Sequence, residues 1–174
     1  PAIARAEQAL DTWLRTNCPA VAEQYPIPAM RALRERIAAE HTHLAHDFIA
    51  QRKLALRMAL EPHGFGDEHV DAGFAEFHSA RNAVEFYDDT LPALERLVAR
   101  FPMISLSNGT ADLDRIGLRH LFAQSISARA EGVAKPATAI FRMACTRLGI
   151  APENVLHVGD DAALDVLGAH AAGL

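Results

Sequence analysis

Apolar positions in the first half of the chain recur every three or four residues, the spacing of one helix face. In the opening run to Leu14, the residues Ile3, Ala6, Leu10, Trp13 and Leu14 share such a face, which predicts a first amphipathic helix. Pro19, Pro26 and Pro28 then break the pattern. A second helix is expected from about Pro28 to Glu40 on Met30, Leu33 and Ile37, and a third over about Thr42 to Leu60 on Leu44, Phe48, Leu56 and Leu60. Pro62, Gly64 and Gly66 signal a turn, after which Asp67 is placed to cap a fourth helix carrying Val70, Phe74, Phe77 and Val84. Four helices with short links predict an antiparallel bundle. Trp13 is expected in its internal seam.

The pattern changes near residue 86. A short helix over LPALERLVARF leads to PMISLSNG, an apolar β-prone run that ends in a turn. A helical DLDRIGLRHLF, a short QSISA run and a helix over PATAIFRMACTRLGI follow. NVLHVGDD repeats the strand-then-turn pattern, and ALDVLGAHAAG reads as a closing helix. Alternating strand and helix predicts an α/β unit with a parallel, Rossmann-like sheet. The expected division is an all-helical lobe at 1–85 and an α/β core at 86–174. Ligands of open α/β sheets bind at the carboxyl ends of the strands, and both SNG and GDD stand there.

Composition narrows the picture without setting it. The chain has 174 residues, 50% of them hydrophobic and 22% charged, with a formal net charge of -5. That suits a folded protein and gives no electrostatic footprint for nucleic acid or an anionic membrane. No uninterrupted apolar run is long enough to span a bilayer, and the first residues lack a secretory pattern. Two cysteines, Cys18 and Cys145, make no disulfide framework. Both are expected to pack in apolar surroundings, with a cytoplasmic location as the simple expectation.

Three groups carry candidate chemistry. Ser107, Asn108 and Gly109 follow a strand, where a hydroxyl and exposed backbone N–H groups could hold a phosphate oxygen. The competing reading is an ordinary Asn-Gly turn. Lys135, on the loop before a helix, could set a positive charge near an anion, or be a solvated lysine. Asp160, Asp161 and Asp165 cluster after a buried strand. Oxygen donors suit a hard cation such as Mg²⁺, whereas the simpler account caps a helix with one aspartate and solvates the others. Elsewhere, His43 and His46 have a spacing that permits a metal pair but lack a third ligand. His46, Asp47 and Arg52 are candidates for a substrate-facing side of the helical lobe. His157 reads as a packed or hydrogen-bonded histidine.

Taken in order over about residues 86–174, ISLSNG, GVAKP and VGDDAALDVLGA resemble motifs two, three and four of phosphatase-like hydrolases in the haloacid dehalogenase superfamily. The helical first half resembles the cap that many members insert into the core. The resemblance implies that Ser107 orients a phosphate and that Lys135 neutralises phosphate and nucleophile. It further implies that Asp160 binds Mg²⁺, that Asp161 is a ligand or supports one, and that Asp165 stabilises the site. The implied substrate is a small phosphorylated metabolite. The first motif of the superfamily, a strand ending in aspartate-x-aspartate-x-threonine that supplies the nucleophile, does not occur in these 174 residues. The sequence DDTL at Asp88 to Leu91 resembles only its tail, and Asp88, Asp89 and Thr90 read as the lead-in to a helix. The core is therefore expected to lack its first and last strands, and the 174 residues to be part of a longer polypeptide. Two other readings stand beside the phosphatase: a 2-haloacid dehalogenase-like hydrolase, which needs no metal, and an inactive binding module.

Overall fold

The computed structural model describes residues 2–174. It divides into two compact units: residues up to Glu85 with Thr110–Ile116, and Phe86–Gly109 with Gly117–Leu174.

The first unit is helical. Its elements are α1 (Ala2–Asn17), α2 (Pro19–Gln24), α3 (Ile27–Glu40), α4 (Phe48–Leu60) and α5 (Asp67–Asn82). The 3.6-residue periodicity has its expected consequence: Leu10, Leu14, Leu33, Ile37, Leu56 and Phe77 are buried in one cluster. α1 lies along α5, and α4 packs on both α3 and α5. Trp13 packs against this cluster, and Gly73 of α5 makes room for it: a Cβ there would lie 3.0 Å from the indole ring.

Several local expectations were displaced by side-chain hydrogen bonds. The expected helix from Thr42 to Leu60 is broken, because Asp47 accepts from the backbone N–H groups of Ile49 and Ala50 and starts α4 afresh. His43 and His46 therefore do not share a helix face, and Phe48 is exposed. Asp67 does not cap α5. It is the first helical residue, and its carboxylate accepts from Arg57 at 2.6 Å. Val84 lies beyond the end of α5.

The second unit contains α6 (Thr90–Val98), β1 (Ile104–Ser107), β2 (Gln124–Ser127), α7 (Ala128–Glu131), α8 (Thr138–Leu148) and α9 (Gly168–Ala172). β1 and β2 pair in parallel, Ile104 opposite Gln124 and Ser107 opposite Ser127. A small core forms behind them from Ile126, Ile140, Phe141 and Ala169. The expected helix over 112–122 does not form. Asp112 accepts from the N–H groups of Asp114 and Arg115, and Gly117 turns the chain with φ of 78°. Only a short 3₁₀ turn, Arg119–Leu121, remains. Asp89 stands at the start of α6 without a side-chain capping bond.

The run NVLHV, expected as a strand, joins no ladder among the described residues. It stays unpaired, with Leu156 and Val158 exposed at 85% and 83%. The sheet is thus two-stranded, and the segment before Gly159 does not hydrogen-bond to β1. After Asp161 the chain makes a wide π-helical turn, Ala162–Leu167, before α9.

Candidate active site

The second unit places its polar residues on three loops. β1 delivers Ser107, Asn108 and Gly109 to the first. Ser107 Oγ accepts from the Gly109 N–H at 2.9 Å, so that N–H is used inside the turn and not left for a ligand. Asn108 is likewise engaged. Its side-chain amide donates to the Lys135 carbonyl and its side-chain oxygen accepts from the Lys135 N–H, both at 2.9 Å. Asn108, expected among the substrate-binding groups, clamps the loop that carries Lys135. Its partner lies 27 residues further on, which no local pattern announces.

Lys135 is brought onto Asp165, with Nζ donating to Oδ1 at 2.5 Å. His157 Nε2 is 2.8 Å from the same oxygen. The second carboxylate oxygen accepts from the Asp161 N–H at 3.2 Å. All three side chains are largely withdrawn from solvent. Burial alone would raise the Asp165 carboxyl, but the hydrogen bonds from His157, Lys135 and the Asp161 backbone, with the charge of Lys135, hold it down at about 2. His157 meets the Phe141 ring edge-on, at 5.1 Å between centroids. Its reading as a hydrogen-bonded histidine was right, but its role in fixing Asp165 was not legible. Gly159 makes the arrangement possible, because a Cβ there would fall 2.2 Å from Asp165 Cγ.

The two remaining aspartates differ. Asp161 Oδ1 accepts from the N–H groups of Ala163 and Leu164, the capping role weighed as its simpler account. Asp160 is exposed and makes no hydrogen bond or ion pair with another described residue. No group of three or more His, Cys, Asp or Glu that could hold a metal occurs among the described residues. Mg²⁺, however, is commonly held by one or two carboxylates with waters and substrate phosphate completing its shell. Asp160 and the Asp161 oxygen not used in capping match that donor chemistry.

A parallel sheet with polar loops at its strand ends, a lysine–aspartate pair and a separate helical unit define a capped α/β hydrolase. The profile of haloacid dehalogenase-like hydrolases matches residues 3–173, and the chain belongs to that family. A solved structure titled 2-haloacid dehalogenase from Pseudomonas syringae pv. tomato DC3000 is 32% identical, superposes with a TM-score of 0.90, and is matched over 100% of this chain and 77% of that one. A curated relative in Escherichia coli K12, a 5-amino-6-(5-phospho-D-ribitylamino)uracil phosphatase, is 26% identical over 100% of this chain and 74% of its own length. The phosphoserine phosphatase of Thermus thermophilus is 33% identical over 71% of this chain, which spans only 52% of that protein. A magnesium-bound Bacillus subtilis hydrolase at 18% identity and TM-score 0.62 shares the fold. The chain is thereby placed among the hydrolases of this superfamily, with phosphate esters and 2-haloacids not distinguished as substrates. Among the described residues no helix is long and apolar enough to cross a membrane.

Proposed function

We propose that the second unit holds the substrate of a magnesium-dependent phosphatase acting on a small phosphorylated metabolite. The observation that carries this reading is Asp160, an exposed carboxylate without a partner among the described residues, on the loop that follows His157. A carboxylate left open on a loop is suited to a hard cation. Mg²⁺, when bound, would offset the charge crowding between an anionic nucleophile and a phosphate. Lys135 spends one N–H on Asp165 and keeps others for a phosphate oxygen. Ser107 uses its oxygen as an acceptor within its turn, which leaves its O–H to donate to the same group.

The attacking carboxylate is not supplied by Ser107, Lys135, Asp160, Asp161 or Asp165. In this reading it comes on a further strand of the aspartate-x-aspartate-x-threonine type, paired with the open side of the sheet. The exposed Leu156 and Val158 support a place for such a strand. The carboxylate attacks phosphorus as the ester P–O bond breaks and the alcohol leaves with a proton, and water then hydrolyses the resulting acyl phosphate to carboxylate and inorganic phosphate.

A second reading, dehalogenation of a small 2-haloacid, is the better supported by whole-chain likeness, since the Pseudomonas structure matches this chain throughout. Fold likeness reports architecture, and the reaction depends on the site. The natural polypeptide should be assayed for phosphate release from p-nitrophenyl phosphate and chloride release from 2-chloropropionate, with Mg²⁺ and with EDTA. Phosphate release that EDTA abolishes, with no chloride release, is the expected result. Metal-independent chloride release would overturn it in favour of the dehalogenase, and absence of both activities would leave a binding module.

A further inference from the structure

Lys135 owes its place to more than its ion pair. A lysine ammonium is a point charge on a flexible stem, and a bond to one carboxylate oxygen does not fix it unless the carboxylate is itself held. Asp165 has three partners. Two of them, Lys135 and the Asp161 N–H, sit on loops. The third is the rigid ring of His157.

That ring is tied to the core. It meets Phe141 edge-on, and Phe141, on α8, is fully buried. α9 closes on the same phenyl ring: a Cβ on Gly168 would fall 2.8 Å from Phe141 and 3.1 Å from the Pro136 backbone. The start of α9 thus lies against both Phe141 and the residue that follows Lys135. A line of contacts runs from the core to the ammonium through Phe141, His157 and Asp165.

The chemistry of Asp165 then assigns the proton on the ring. Asp165 is ionised near neutral pH, and a carboxylate only accepts. Nε2 of His157 therefore carries a proton and donates it to Oδ1, the oxygen that also accepts from Lys135. We propose that His157 is a positioning residue: by donating from Nε2 to Oδ1 of Asp165, it fixes the carboxylate that sets where the Lys135 ammonium meets a phosphate. Its effect on turnover rests on the phosphatase reading above, whereas its effect on Lys135 does not.

The test uses the natural polypeptide. A glutamine carries its amide nitrogen about where Nε2 of histidine lies, and an asparagine about where Nδ1 lies. In nitrogen NMR spectra of the unaltered protein at neutral pH, His157 Nε2 should carry a proton and the Lys135 ammonium protons should exchange slowly with water. His157→Asn should speed that exchange and lower kcat for p-nitrophenyl phosphate several-fold. His157→Gln should keep both near their unaltered values. A bare Nε2, or rapid ammonium exchange, in the unaltered protein would overturn the proposal whether or not the variants fold. Unchanged exchange in folded His157→Asn would overturn it too. A loss in His157→Gln as large as in His157→Asn would do the same and assign the ring to packing on Phe141. Should the unaltered protein not turn over p-nitrophenyl phosphate, the ring proton and the ammonium exchange still decide the role of His157, and only the phosphatase reading falls.

Discussion

The two units of this chain are held together by different means. The helical unit closes an apolar core on itself, with Ala6, Val21, Ile37, Leu56 and Leu60 fully withdrawn from water. The α/β unit has a smaller core, a helix α6 with no buried residue, and apolar side chains left in solvent at Leu156 and Val158. Its loops are instead fixed by polar contacts: Asn108 on the Lys135 backbone, and Lys135 with His157 on Asp165. A bundle can satisfy its apolar faces from neighbouring sequence, whereas a parallel sheet needs strands from distant sequence. The difference shows where each unit is vulnerable.

The largest expected effect lies in the polar network. Asp165→Asn leaves the Lys135 ammonium buried without its counter-charge, and should cost about 4 kcal/mol in denaturant unfolding, with loss of amide protection confined to the α/β unit. Protection lost first in the helical unit would break the comparison. Leu56→Ala, at the centre of the bundle, should cost about 3 kcal/mol and raise amide exchange in the helical unit instead. Acid should then distinguish the units further. The Asp165 carboxyl titrates at about 2, below its ordinary value of 3.8. Its contribution, about 2 kcal/mol, is present above pH 4 and should vanish as pH falls from about 4 to about 2. An acid titration of Asp165→Asn should lack that component. Asp161→Ala removes a capping acceptor and should cost about 1 kcal/mol. Leu156→Ser in the 174-residue chain removes an apolar side chain already in water, and its unfolding midpoint should shift by less than the equivalent of about 0.5 kcal/mol. A loss as large as that of Leu56→Ala would show that Leu156 is covered.

The same contrast explains what could be read in advance. Leu10, Leu33, Ile37, Leu56 and Phe77 announced the bundle because their partners sit on adjacent helices. Where prediction failed, a local side-chain bond outweighed helix periodicity: Asp47 restarted α4, and Asp112 with Gly117 dismantled the expected helix over 112–122. At the site, Lys135 and Asp165 were legible from the order of their motifs, and the structure joins them. The hydrogen bonds that Asn108 makes to the Lys135 backbone and His157 to Asp165 were not legible, because they depend on how the loops meet. The strand expected before Gly159 was legible as an apolar run, but an extended run forms a strand only where a neighbour supplies the ladder.

Gly159 illustrates a last consequence, for variation at this position. It lies open to solvent, the kind of place where exchange is usually harmless. Yet the direction in which any side chain would leave its backbone runs straight into the Asp165 carboxylate. A library saturated at this codon should return a single survivor, while its neighbour Val158, also exposed, should accept many replacements. Tolerance here is governed by a bond vector, and a map of surface area would miss it.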